Sequence, residues 1–200
     1  MKPIIKWNRK HSERITQIEQ PAPNPRLKNL SPYLHGGSAL DLACGLGGNS
    51  LFLARLNYRV KAIDISDVAI KYLQEQTIKQ QLEIYPHIAD LTQKQSLNVK
   101  EGSFDLVVVT YYLDRTIFPF VKSIIKDQGY FFMETFYKSP LTGDGNISDD
   151  YKLRPGELLS VFGDWKVLFY EENEREGRQT IFCQKNLPRK EIKGSISNNK

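Results

Sequence analysis

The residues best suited to chemistry begin in the stretch SALDLACGLGGNSLFLA, residues 38–54, where an acid, Asp41, stands just ahead of Gly45, Gly47 and Gly48. Glycines spaced this way let a ligand approach the backbone closely and accept positive φ angles. A helix following them aims its free N–H groups and positive dipole end at the same point, which suits a carboxylate as well as a phosphate. Asp41 would repel a phosphate but attract an ammonium or sulfonium group. The turn therefore favours a zwitterion with a carboxylate and a positive centre. Asp64 follows 23 residues later, about the spacing at which an acid bonds ribose hydroxyls in nucleotide sites. Asp90 offers an acceptor for an exocyclic amine, beside Leu91 as an apolar neighbour for a flat ring. Thr110-Tyr111-Tyr112-Leu113-Asp114-Arg115 supplies polar and aromatic groups for the reacting end of a ligand. Each acid also has a plainer use in a turn or cap. Ser66 competes for the helix cap after Asp64, and Thr92-x-x-Gln95 offers a capping box after Asp90.

These residues act together only if secondary structure gathers them, and each follows a strand-like run. Residues 39–43, 58–65, 83–91 (the weakest), 104–112 and 129–136 read as strands, the fourth continuously apolar as if buried on both faces. Helical patterns at 47–57, 66–80, 117–126 and 155–162 alternate with them. Two last strands, 164–172 and 178–185, flank a connection too short for a crossover helix. The expectation is an α/β fold: a Rossmann-like, seven-stranded, mostly parallel sheet with helices on both faces and a C-terminal antiparallel hairpin. Such sheets bind ligands beyond the carboxyl ends of their strands, where all of the residues above stand.

Composition narrows the class of protein. The chain has 200 residues, 40% of them hydrophobic and 26% charged, in the range of globular domains. Cys44 and Cys183 are too few for a disulfide framework and read as small residues in or beside strands. His11, His35 and His87 have no ligand spacing, so no metal site is expected. No apolar run is long enough for a membrane span or a signal peptide core, and the expected location is cytoplasmic. The net charge of +5 sits at the ends: residues 1–30 carry seven basic and two acidic side chains, and residues 185–200 five and one. The body, 31–184, has 16 basic and 20 acidic residues, which argues against a broad nucleic-acid face while leaving the basic ends open to loose RNA contact. Residues 1–30, with three prolines in 21–25, are expected to form an arm or a lid; 31–185 the domain; and 186–200 a disordered basic tail.

Taken in order, LDLACGLGGNS, VKAIDIS, IADL, FDLVVVTYYLDR and GYFFMETF resemble the successive motifs of the class I S-adenosylmethionine-dependent methyltransferases, over residues 36–185. Asn49-Ser50 together with LRPGELLSVFGDWKV is similar to the tellurite-resistance subgroup. The departure is Ala43, where many members carry glycine. The resemblance implies S-adenosylmethionine as cofactor and a small-molecule methyl acceptor, an anion or soft nucleophile, as substrate. An RNA methyltransferase and a non-catalytic cofactor-binding subunit remain as alternatives. It implies that Asp41, Ala43, Gly45 and Gly47 surround the methionine part, with Cys44, Asn49 and Ser50 in the same turn. By the same resemblance Asp64, with Ser66 beside it, binds the ribose, Ile65 packs on adenine, Asp90 and Leu91 hold its edge, and Thr110 and Tyr111 line the floor near the sulfonium. Tyr111, Tyr112, Arg115, Glu134 and Tyr137 stand near the presumed pocket, and Arg175 and Arg178 in the last hairpin could hold an anion. A nicotinamide dehydrogenase fits less well, because a third glycine is missing and Asp41 opposes a pyrophosphate.

Overall fold

In the computed structural model, residues 2–18, 20–142 and 147–187 are described. Seven strands form one sheet in the order β3-β2-β1-β4-β5-β7-β6. They are β1 (Gly37–Leu42), β2 (Tyr58–Asp64), β3 (Ile84–Ile88), β4 (Phe104–Thr110), β5 (Ile125–Phe136), β6 (Lys166–Asn173) and β7 (Arg178–Gln184). The first five pair in parallel, and β7 runs antiparallel between β5 and β6. The strand order reverses between β1 and β4, the crevice where open α/β sheets bind their ligands. The expected fold class is therefore the observed one.

Alternation along each strand decides which face a side chain serves. Leu40 and Leu42 of β1, Val107 and Val109 of β4, and Phe131 and Met133 of β5 join one apolar layer with α5 (Ile117–Ile124) and α6 (Glu157–Phe162). Ala39, Leu106, Val108, Phe132 and Phe182 turn the other way, toward α2 (Pro25–Asn29), α3 (Gly48–Arg55) and α4 (Asp67–Gln80). By the same alternation Asp41, Thr110, Glu134 and Thr180 belong to this second face. The sheet registers Thr110 beside Glu134 and Glu134 beside Thr180. A row of polar groups thus lies at the strand ends under α2 and α3.

The departures from expectation are local. Residues 3–15 form a helix, α1 (Pro3–Ile15), started by a proline in its first turn. The proline-rich segment runs without helix to Asn24, which caps α2 by accepting from the Arg26 and Leu27 amides. Helix α5 stops at Ile124 rather than 126, because β5 follows with no loop at all. Between Phe104 and Leu106 the β4–β5 register shifts to absorb that junction, and Gln128 takes φ +64°. The basic tail expected at 186–200 lies, from 188 onward, outside the described residues. Among those described, no helix is long and apolar enough to cross a membrane.

Candidate functional site

The turn after β1 is built by backbone conformations that glycine accepts and other residues resist. Gly45 has φ +53° and Gly47, the N-cap of α3, φ +84°. A Cβ on Gly47 would stand 2.8 Å from the Leu73 Cδ2 atom, inside the packed face of α4. Ala43 holds φ +55° despite its methyl group, a strained state for an L-residue. Asp41 is wholly buried behind this turn. Its Oδ2 accepts from the Ser50 hydroxyl at 2.6 Å, and its Oδ1 has no partner among the described residues. Burial pushes its carboxyl up to about 7, with the Ser50 hydrogen bond opposing and the charge of Asp64 adding. An unpaired buried oxygen on a reluctant carboxylate is a costly thing to keep, and a cation placed against it would relieve that cost.

Asp64 ends β2 with its two oxygens joining the glycine turn to the start of α4. Oδ2 accepts from the Gly45 amide at 2.8 Å and Oδ1 from the Ser66 amide at 2.9 Å. Ser66 takes the cap of α4, as its position suggested, accepting from the Ala69 amide. Asp90, after β3, instead turns its Oδ1 to the amide and hydroxyl of Thr92. The short helix that follows, Lys94–Leu97, begins after Gln93 rather than Thr92, one residue out of step with a Thr92–Gln95 capping box. Leu91 is buried and Ile65 half-buried. Cys44, half-buried, has its thiol pushed well up by burial and by Asp41 and Asp64, which leaves it unsuited to act as a nucleophile.

At the ends of β4, β5 and β7 the row of polar groups closes into a network centred on Glu134, which is only 1% exposed. Its Oε1 accepts from Asn24 Nδ2 at 2.7 Å and from the Tyr111 hydroxyl at 3.0 Å. Its Oε2 accepts from Thr180 at 2.9 Å and from Arg26 at 3.2 Å. Asn49 links this network to the glycine turn: its Oδ1 accepts from the Asn24 amide and its Nδ2 donates to Thr110 Oγ1 at 3.1 Å. Arg26 also pairs with Glu171 and Glu176 from the last hairpin. Because β7 runs antiparallel, its first residue, Arg178, arrives at the carboxyl ends of the other strands. Its guanidinium carbon lies 3.7 Å from the centre of the Phe136 ring and 4.8 Å from that of Tyr111. Its buried Nη1 has no partner among the described residues.

The sequence candidates thus separate into groups. Asp41, Ala43, Cys44, Gly45, Gly47, Asn49, Ser50, Asp64 and Ser66 share one turn and its flanks. Thr110, Tyr111, Glu134 and Arg178 share the adjoining network. Arg115 is drawn away: it donates from Nε and Nη2 to both oxygens of Glu157, at 2.6 and 2.9 Å, and to the Lys152 carbonyl. With Glu157 and Phe118 it lines a cavity of about 520 Å³ against Pro155–Val161, apart from the glycine turn. Arg175 is exposed in the hairpin turn, Tyr112 packs half-buried, and Tyr137 is buried in the core. Sequence reasoning missed Asn8, His11, Asn24, Arg26 and Thr180. The Asn24-Pro25 pair, a cap followed by a helix-starting proline, was the available signal for one of them.

Comparison with known proteins follows the same outline. A family model described as tellurite resistance protein TehB matches residues 25–185. A probable S-adenosyl-L-methionine-dependent methyltransferase TehB from Haemophilus influenzae strain Rd is 28% identical over 147 residues, 70% of this chain and 50% of that protein. Its counterpart from strain 10810 is 31% identical over 153 residues, with the same shares. The chain thus spans about half the length of the curated relatives it matches. The crystal structure of TehB from Haemophilus influenzae superposes with a TM-score of 0.71 at 23% identity, covering 82% of this chain and 63% of that one.

Proposed function

From the premise that the chain belongs to the TehB family, within the class I S-adenosylmethionine-dependent methyltransferases, we propose that it transfers the cofactor's methyl group to a small anion or soft nucleophile held against Arg178. The residues of the glycine turn fit the cofactor. Asp41 Oδ1, buried without a partner, suits a positive centre, while Gly45 and Gly47 leave room for close approach. Asp64 stands ready for ribose hydroxyls, with Ile65 and Leu91 as apolar neighbours for the adenine. When bound, the cofactor supplies a methyl group on positively charged sulfur, the electrophile of an in-line displacement. The chain's share is to align the acceptor with that methyl group and to exclude water. Thr110, fixed by Asn49, and the Tyr111 ring flank the path between the glycine turn and Arg178.

The observation that carries the acceptor class is the buried Nη1 of Arg178, unpartnered among the described residues, on a guanidinium that sits over two aromatic rings. Such a donor is costly alone and is relieved by an anion. Proton removal is poorly provided for nearby. Burial, and then Glu134, push the Tyr111 hydroxyl up, while Glu134 is engaged by four donors. Acceptors already ionised or soft need no base. A methyl-release assay across thiols, oxyanions of selenium and tellurium, small carboxylates and RNA tests the reading. Turnover of an anion or thiol is expected, with Arg178→Gln raising its KM by tenfold or more at unchanged cofactor Kd. Turnover of RNA alone, or an unchanged KM, overturns it.

A further inference from the structure

We infer that His11 is a cofactor-binding residue, carried by α1 to the acid that takes the ribose, where a ring nitrogen hydrogen-bonds the bound nucleoside. The inference rests on the reading of Asp64 as the ribose acid. His11 is the one buried residue of α1, at 3% exposure, in a helix whose other described side chains face outward or lie half-buried. Its Cε1 lies 3.2 Å from where a Cβ on Gly45 would stand, so the imidazole rests directly on the glycine whose amide holds Asp64. Its Nδ1 is buried and has no hydrogen-bond partner among the described residues.

The placement is held from both sides. Asn8, one turn earlier, donates to Asp67 and accepts from the Ser66 hydroxyl at 2.7 Å, clipping α1 to the start of α4. Trp7 stacks on the imidazole with centroids 5.8 Å apart and planes at 27°. A side chain needed only to cover glycine would do better without nitrogen, since a buried unpaired polar atom destabilises the fold. Burial holds the imidazole below its ordinary 6.5 against the attraction of Asp64, with Arg14 and Lys10 repelling its charge. The ring is therefore neutral near pH 7.5, one nitrogen donating and the other accepting, which matches a hydroxyl beside Asp64.

Titration calorimetry with S-adenosylhomocysteine on the full chain separates this role from packing and from obstruction. His11→Phe keeps a ring against Trp7 and Gly45 but removes the nitrogens, and is expected to weaken Kd tenfold or more without lowering Tm. His11→Asn returns polar atoms near the position of Nδ1 and is expected to stay within about threefold of the native chain. A native Kd for His11→Phe would assign the residue to packing, and tighter binding would make it an obstacle; equal losses in both variants would also overturn the inference. Should the Phe variant fail to fold, His11→Leu takes its place in the same comparison. Asp64→Ala is the control: native affinity there overturns the ribose reading itself, whereas a loss there beside an unaffected Phe variant overturns only the role of His11.

Discussion

Replacing Gly48 by alanine should release the proline-rich segment from the site while leaving the sheet intact. Gly48 is the first residue of α3, and its backbone accepts any side chain, but the space a Cβ would fill is already occupied. A Cβ there would stand 2.7 Å from the carbonyl carbon of Ala22 and closer still to its oxygen, where ordinary contact begins at 3.4 Å. The obstacle is backbone, which cannot rotate aside, so residues 22–24 must retreat by about 0.7 Å to clear the carbonyl carbon and by more to clear its oxygen, about 1 Å in all. A shift of that size breaks the 2.8 Å bond from the Asn24 amide to Asn49 and the 2.7 Å bond from Asn24 Nδ2 to Glu134. Two buried hydrogen bonds at about 1 kcal/mol each, with the added penalty of unpaired groups, weaken docking by about 2–4 kcal/mol. The open population then rises about 30- to 1000-fold at about 1.4 kcal/mol per decade. Native-state hydrogen exchange reads that number directly, as a matching loss of protection at the amides of Asn24, Arg26 and Leu27. Alanine returns up to about 1 kcal/mol of helix stability at α3, so the net loss of about 1–3 kcal/mol lowers the global Tm by about 2–12 °C. Unchanged protection at these amides would refute the reasoning.

Ala43→Gly should leave stability unchanged or raise it by about 1 kcal/mol, because relief of the positive φ outweighs the greater freedom of glycine in the unfolded chain. Thermal unfolding would show a Tm between unchanged and about 2–4 °C higher, and a fall of several degrees would contradict the strain at this turn. Asp41 sets a pH dependence whose sign follows from its raised carboxyl. Between its ordinary 3.8 and about 7 the folded chain keeps a proton that the unfolded chain releases, so this group's contribution to stability declines as pH rises through that window. A cationic ligand against Asp41 must expel the same proton, so S-adenosylmethionine should bind up to about tenfold more weakly per pH unit below 7. Calorimetry in buffers of different ionisation heat should detect the released proton, and Asp41→Asn should abolish both effects. Persistence of the slope in that variant would assign it elsewhere.

How much of this was legible depended on whether local sequence or distant packing decides the outcome. The glycine turn, Asp64 and the parallel strands were readable because short apolar runs ending in an acid or glycine state their conformation within a few residues. Ser66 was readable as a cap for the same reason. The junction of α5 with β5 was not, since Ile124 and Ile125 suit helix and strand alike, and the β4 register decides between them. Nor was α1, whose pattern buries one residue; its place is set by Asn8 meeting Ser66 and Asp67, 58 and 59 residues away. Arg115 looked like an active-site cation, yet its partner Glu157 lies 42 residues on and could not be inferred from the strand-end rule.

The span of the Arg26 contacts also bears on how the chain reaches its final form. Arg26 meets Glu134, Glu171 and Glu176, partners 108, 145 and 150 residues later in the chain. Contacts of such sequence separation pay their loop-closure entropy before they return anything, and they form late. On a growing polypeptide the segment around Asn24 is made early, yet its contacts to Glu134, Glu171 and Glu176 cannot form until β5 and the last hairpin exist. One of the first-made parts of the crevice's wall is thus among the last to complete its contacts.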